Sequence, residues 1–244
     1  MKVLILRFDA PLVSFGGPSV DHNGVVQRFP ARSMLTGLLA NALGWCHRDT
    51  QQLQRLEDRL RFAARIDRLG ESLVDYQTVA LGLPWMRPEC AGWTTHGRIA
   101  KRGGLFSDAT HIRLRHYRAD SVHTVALALA GDDAPTLEEA EAALREPARP
   151  LFIGRKCCLP AAPVLGSVVE AESLLDAIAR LPRSARADKG RLPACWSDMD
   201  PGVHGITGGR TVAVTDERDW TSRVHVGRRL VREGFVDPPE ASHG

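Results

Sequence analysis

The chain has 244 residues, with 32 Lys and Arg against 29 Asp and Glu for a formal net charge of +3, and it is 43% hydrophobic but only 6% aromatic. That is enough apolar material for one large domain or two small ones, and no apolar run approaches the roughly 18 to 20 residues of a membrane-spanning helix. The five cysteines, Cys46, Cys90, Cys157, Cys158 and Cys195, are odd in number and form no C-x-x-C pair. The expectation is a cytoplasmic protein with reduced thiols, no structural zinc and no membrane association.

Lys2 to Phe8 is a short continuous apolar run, as expected of a strand covered on both faces and too brief for a cleaved leader. Pro11 to Gly24, with Gly16, Gly17 and Pro18, reads as loop. Leu35, Leu38, Leu39, Ala42 and Leu43 then mark one face of a helix, with Ser33 placed to cap its start and Gly44 its end. A second helix is predicted over Thr50 to Leu60. Period-two strands follow at Phe62 to Ile66 and Val74 to Thr78, on either side of Gly70. Gly82 to Arg118 fits neither period and reads as an inserted hairpin contributing little to the core. A strand over Val122 to Ala130 precedes a helix opened by a Thr136/Glu139 capping box, and Leu151 to Ile153 begins a further short strand. Beyond that, the pattern predicts a helix near Ser173 to Leu181, a basic connection, and strands around Thr211 to Val214 and Arg223 to Val231. The predicted class is α+β: a ferredoxin-like, RRM-like β-α-β-β-α-β domain over 1–160, a long basic hairpin insertion at about 82–118, and a smaller β-rich region over 161–244.

Charge is segregated along the chain. Arg98 to Arg118 carries a local +5 and Asp132 to Glu146 a local −5, with further basic residues at Arg180 to Arg191. Concentrated arginine suits a polyanion, because guanidinium matches phosphate bidentately; the alternative for each block is a solvated face. Arg28 and Arg32 immediately precede the first helix, where free N–H groups and the helix dipole favour an anion. Gly37 sits inside that helix at a cost of roughly 1 kcal/mol relative to alanine. Either a ligand approaches the backbone there, or the helix packs closely on the sheet.

The run Arg28-Phe29-Pro30-Ala31-Arg32-Ser33-Met34-Leu35-Thr36-Gly37-Leu38-Leu39, with Asp75-Tyr76-Gln77-Thr78-Val79 and Ile153-Gly154-Arg155-Lys156-Cys157-Cys158, resembles the CasD family. These are subunits of the type I-E CRISPR surveillance complex Cascade, within the RAMP superfamily. The likeness is densest over residues 2–44, 62–80 and 121–158 and weak after about residue 160. It implies a non-catalytic subunit that holds the 5′ handle of the CRISPR guide RNA without a cofactor. It also implies contacts with other Cascade subunits, including the backbone subunit and the large subunit, and with target DNA only through the complex. The insertion would be a thumb-like hairpin. Arg28 and Arg32 would grip phosphates, Ser33 would cap the helix and donate to them, Gly37 would allow close approach of RNA, and Arg155 would add a contact. Arg113 and Arg115, alternating along a strand, would face one ligand surface with Lys101 and Arg102 nearby.

The rival readings are a purely protein-contacting scaffold subunit and a metal-independent endoribonuclease acting on CRISPR precursor RNA. For the latter, His96, His111, His116 and His123, with Lys101 and Tyr117, offer acid–base groups in or beside the insertion. No phosphate-binding P-loop, H-E-x-x-H pair or aromatic RNP signature occurs.

Overall fold

The computed structural model describes residues 1–18, 22–80, 110–197 and 207–240. Its first strand, β1 (Lys2–Val13), is an inner strand of a nine-stranded sheet. Alternate residues go to opposite faces, and both are covered. Leu4, Leu6 and Phe8 join one apolar cluster, Val3 and Ile5 the other. The short β2 (Asn23–Gly24) lies parallel to the long β5 (Thr110–Leu129). Helix α1 (Arg32–Ala42) follows, packed through Leu35, Leu38 and Leu39 against the first cluster, then α2 (Thr50–Arg59) and β3 (Leu60–Arg68). Gly70, at φ +69, turns the chain into β4 (Glu71–Ala80), which pairs with β5 from Glu71 opposite Ala119 to Ala80 opposite Thr110.

Helix α3 (Leu137–Arg145) carries the expected capping box of Thr136 and Glu139. The chain then returns through β6 (Leu165–Glu170) and α4 (Leu174–Arg180), whose Leu175 and Ile178 fill the second face of the sheet. Strands β7 (Leu192–Ser197), β8 (Thr207–Val214) and β11 (Arg229–Val236) extend the sheet to the order β6-β1-β5-β3-β7-β11-β8. A separate two-stranded hairpin is formed by β9 (Glu217–Asp219) and β10 (Val224–Val226). The fold is mixed, with a mainly antiparallel sheet and four helices among the described residues.

Several expectations are corrected. Strand β1 continues through Pro11 instead of ending at residue 8; β6 pairs with it only as far as Leu6, so Pro11 lies where one side has no strand partner. Residues 110–118 are part of β5, not of an irregular insertion, while 81–109 lie outside the described residues. Residues 151–153 form no strand and lead into a turn closed by Cys158 N on Arg155 O; the strand beside β1 is β6. Ser33 does not cap α1: Ala31 is the N-cap and Ser33 is buried inside the first turn. The Gly44 end is as expected, with φ +81 and backbone bonds from Gly44 N to Asn41 O and from Trp45 N to Ala40 O. In the basic block at 180–191, Arg180 pairs with Asp176, Arg183 with Asp237 and Glu240, and Arg186 with Asp9 and Asp120. Much of its charge is therefore spent inside the protein.

Candidate nucleic-acid interface

The N-terminus of α1 is already occupied by the protein's own carboxylates. Asp216 accepts the Arg32 N–H at 3.1 Å and its backbone carbonyl accepts the Ser33 N–H at 3.0 Å. Its carboxylate is also forked onto Arg229, and the Arg32 guanidinium pairs with Glu217. This satisfies the helix dipole internally. Arg32 is thus committed to the fold and the free N–H groups at this helix start are taken, while Ser33 still borders a cleft beside α1.

The opening lies further along α1. A cleft of about 620 Å³ runs over the outward face of the helix at Met34, Gly37 and Asn41. A Cβ built on Gly37 meets nothing within 4 Å, so this glycine faces open space and not the sheet. One wall is the loop at Ser14, Gly16 and Gly17; beside it stands the turn of Phe152, Gly154, Arg155 and Lys156. Trp45, His47 and Arg149 close the end near the helix C-terminus, and Arg218, Trp220 and His225 form the remaining wall. Four cations line the cleft, and no aspartate or glutamate is among the described residues that do so. Such a one-signed, partly enclosed surface concentrates anions.

Local structure sets each of these groups. Gly154 adopts φ +94, which lets the turn press against Ser14 while Ser14 N donates to Ile153 O at 3.2 Å. Arg155 then reaches across β5, donating to His116 O and Gly24 O at 2.9 Å each, with its guanidinium 4.8 Å from the centre of the Tyr117 ring. Arg115 converges on the same place: a Cβ at Gly24 would stand 2.5 Å from Arg155 Nη2 and 3.2 Å from Arg115 Nη1. Arg113 lies two residues away on the same face of β5 and is half-buried. Arg149 donates to the Gly44 and Trp45 carbonyls, satisfying the end of α1.

Of the other expected residues, Arg28 is exposed beside Phe29 and borders a second cavity of about 390 Å³, on the far side of the Gly16–Gly17 loop. Lys101 and Arg102 lie outside the described residues. The structure thus brings Ser33, Gly37 and Arg155 into one cleft, sets Arg113 and Arg115 on the adjoining ribbon, and places Arg28 apart. Arg149, Lys156 and Arg218 carried no local sequence signal, being single cations that only the fold assembles.

Of the histidine group, His123 lies away from Tyr117. His123 is 1% exposed, packed edge-on to Phe15 at 4.8 Å, with Ser121 Oγ 3.1 Å from its Nδ1 and Arg28 O 3.4 Å from its Nε2. Burial pushes its pKa down to about 4. Six residues of β5, roughly 20 Å, separate it from Tyr117. The Tyr117 phenol shares a hydrogen bond with Cys157 Sγ at 3.5 Å, which together with burial raises its pKa. His96 lies outside the described residues. No group of three or more His, Cys, Asp or Glu among the described residues could hold a metal ion, and no described helix is long and apolar enough to cross a membrane.

The profile of the family described as CRISPR-associated protein (Cas_Cas5) matches residues 3–232. Over 155 residues the chain is 34% identical to the Escherichia coli (strain K12) protein described as CRISPR system Cascade subunit CasD. That match covers 64% of this chain and 66% of the relative. Among solved structures, a chain of a CRISPR RNA-guided surveillance complex superimposes with a TM-score of 0.66 at 26% identity, over 96% of this chain and 90% of that one. Another, described as a crystal structure of a Cas protein, gives 0.65 at 24% identity and 98% coverage of both chains, a likeness of fold. Fold and likeness together define a CRISPR-associated protein built on a mainly antiparallel sheet. The chain belongs to the Cas5 family.

Proposed function

We propose that the chain is the RNA-binding subunit of a type I-E Cascade surveillance complex in antiviral defence, gripping the 5′ handle of the guide RNA mainly by its backbone and shape. The observation that carries the reading is the cleft over Gly37, lined by Arg149, Arg155, Lys156 and Arg218 without a carboxylate among its described lining. Its polarity suits phosphate, and its Phe152 and Trp45 suit unstacked bases. Arg113 and Arg115 continue the basic surface along β5, Arg28 contributes from beyond the glycine loop, and Lys101 and Arg102 would extend it. Arg32 acts indirectly, by fixing α1, and Ser33 borders the cleft itself. The order β6-β1-β5-β3, antiparallel throughout, supports a ferredoxin-like reading of the first 160 residues completed by β6. The region after residue 160 then adds the remaining strands and one wall of the cleft. Neighbouring backbone and large subunits are the expected protein partners, target DNA is met only through the complex, and the site of action is the cytoplasm.

The endoribonuclease reading loses His123 to the core, and the Tyr117 phenol is engaged by Cys157 Sγ, which raises its pKa. The test is titration of the purified chain with repeat-derived handle RNA in EDTA, monitoring affinity and RNA length together. Binding that weakens with salt, with RNA left intact, is expected; Lys156→Ala should shift the log–log salt slope by about 0.7 for the lost phosphate. Salt-independent association would favour a scaffold role, and cleavage would restore the enzyme.

A further inference from the structure

The sequence motifs that carry the resemblance end before residue 160, yet one wall of the cleft is built beyond it by the β9–β10 hairpin. This hairpin is held firmly. Glu57 of α2, 2% exposed, accepts Trp220 Nε1–H at 2.8 Å and the Arg218 N–H. Gln54 accepts the Trp220 N–H at 3.2 Å, and Glu217 pairs with Arg32. The Asp219 carboxylate closes the turn by accepting from Thr221 N and from Ser222 N and Oγ.

Arg218 and His225 are directly opposed on the two strands and both line the cleft. The Arg218 guanidinium is oriented by its bond to Arg223 O at 2.7 Å and by the Trp220 ring 5.3 Å away. Its Nε and the Nδ1 of His225 are nevertheless buried with no hydrogen-bond partner among the described residues. Buried polar atoms are nearly always paired in native proteins, and a turn of either side chain into the cleft that both line would open its orphan atom to a ligand that supplies the partner. Their chemistry differs. Arg218 Nε–H can only donate. His225 sits below its ordinary pKa through burial and the neighbouring Arg218 charge, and its ring bonds the Glu217 backbone. A neutral ring that donates there through one nitrogen leaves the other as an acceptor.

We propose that the β9–β10 hairpin reads the sugar–phosphate backbone of the bound strand, Arg218 donating to a phosphate oxygen and His225 Nδ1 accepting from a ribose 2′-OH. A DNA strand has no hydroxyl to offer at that position, so His225 favours RNA over DNA of the same sequence. This rests on the RNA-binding reading above. It goes further in naming the group that distinguishes the two nucleic acids and the residue that reads it.

The experiment measures binding of handle RNA, the same sequence as DNA, and RNA with single 2′-deoxy substitutions, by fluorescence anisotropy on the full chain. Wild type should prefer RNA, with one 2′-deoxy position costing severalfold. His225→Phe should lose that increment while keeping its affinity for DNA, and His225→Gln, which retains an acceptor, should preserve part of it. Arg218→Gln should weaken RNA and DNA alike and flatten the log–log salt slope by about 0.7. Trp220 fluorescence checks that the hairpin stays docked, and the 2′-deoxy scan on wild type needs no variant at all. RNA binding with no 2′-deoxy-sensitive position, or with a full RNA preference kept by a folded His225→Phe, overturns the inference and leaves the RNA-binding reading intact. No handle binding by wild type overturns both.

Discussion

A Cβ built on Gly154 would stand 1.8 Å from the carbonyl oxygen of Ser14. Those backbones touch because the turn at φ +94 must lie against the end of β1 to carry Arg155 over Tyr117. Gly154→Ala meets both an unfavourable φ and a backbone atom that cannot move aside. It should cost roughly 2 to 4 kcal/mol of stability, read as a lower thermal or denaturant midpoint.

Gly37 should behave in the opposite way. A Cβ there meets nothing within 4 Å, so Gly37→Ala should stabilise the helix by about 0.5 to 1 kcal/mol. Gly37→Leu should fold but fill the cleft and weaken handle RNA binding at least tenfold. A folded Leu variant with undiminished affinity would place the RNA elsewhere.

His123 makes stability depend on pH. Its pKa falls from 6.5 to about 4 on folding, so the unfolded chain binds the extra proton between those values. The contribution is complete above pH 6.5 and is lost as pH falls toward 4, a change of about 2 to 3 kcal/mol. Chemical denaturation from pH 7.5 to 4.5 should show this slope, and His123→Asn should flatten it.

Arg65 and Asp67 are both fully buried and paired at 2.9 Å. Arg65 also donates to the carbonyls of Ile178, Leu181 and Pro182 at the end of α4, and Asp67 accepts from Thr124 Oγ1 and Ser184 N. The pair ties the second helical face to β3. Arg65→Met should destabilise by about 3 to 5 kcal/mol, because it strands a buried carboxylate. Adding Asp67→Leu should cost less than the sum of the single changes.

The sequence was legible where local signals sufficed. The period of α1, the Gly44 end and the Thr136/Glu139 box are each complete within a few residues, and β1 announced its two covered faces by its apolar run. Strands β6 and β7 were missed because both are short and lie among Pro and Gly residues. The start of α1 was misread because the carboxylate that fills it, Asp216, is 184 residues from Arg32. His123 looked like a surface histidine beside a basic stretch; only the pairing of β5 with β1 and β3 shows it inside. The cleft unites cations from residues 149 to 218, which no spacing rule joins.

The most direct measurement is the site of contact itself. Handle RNA carrying 4-thiouridine, irradiated in complex with the full chain and mapped by mass spectrometry, should give adducts at Trp45, Phe152 or Trp220 and their neighbours around the cleft. Adducts confined to the acidic face of α3, or a cross-linked chain whose cleft peptides are all unmodified, would contradict the assignment of the Gly37 cleft as the RNA site.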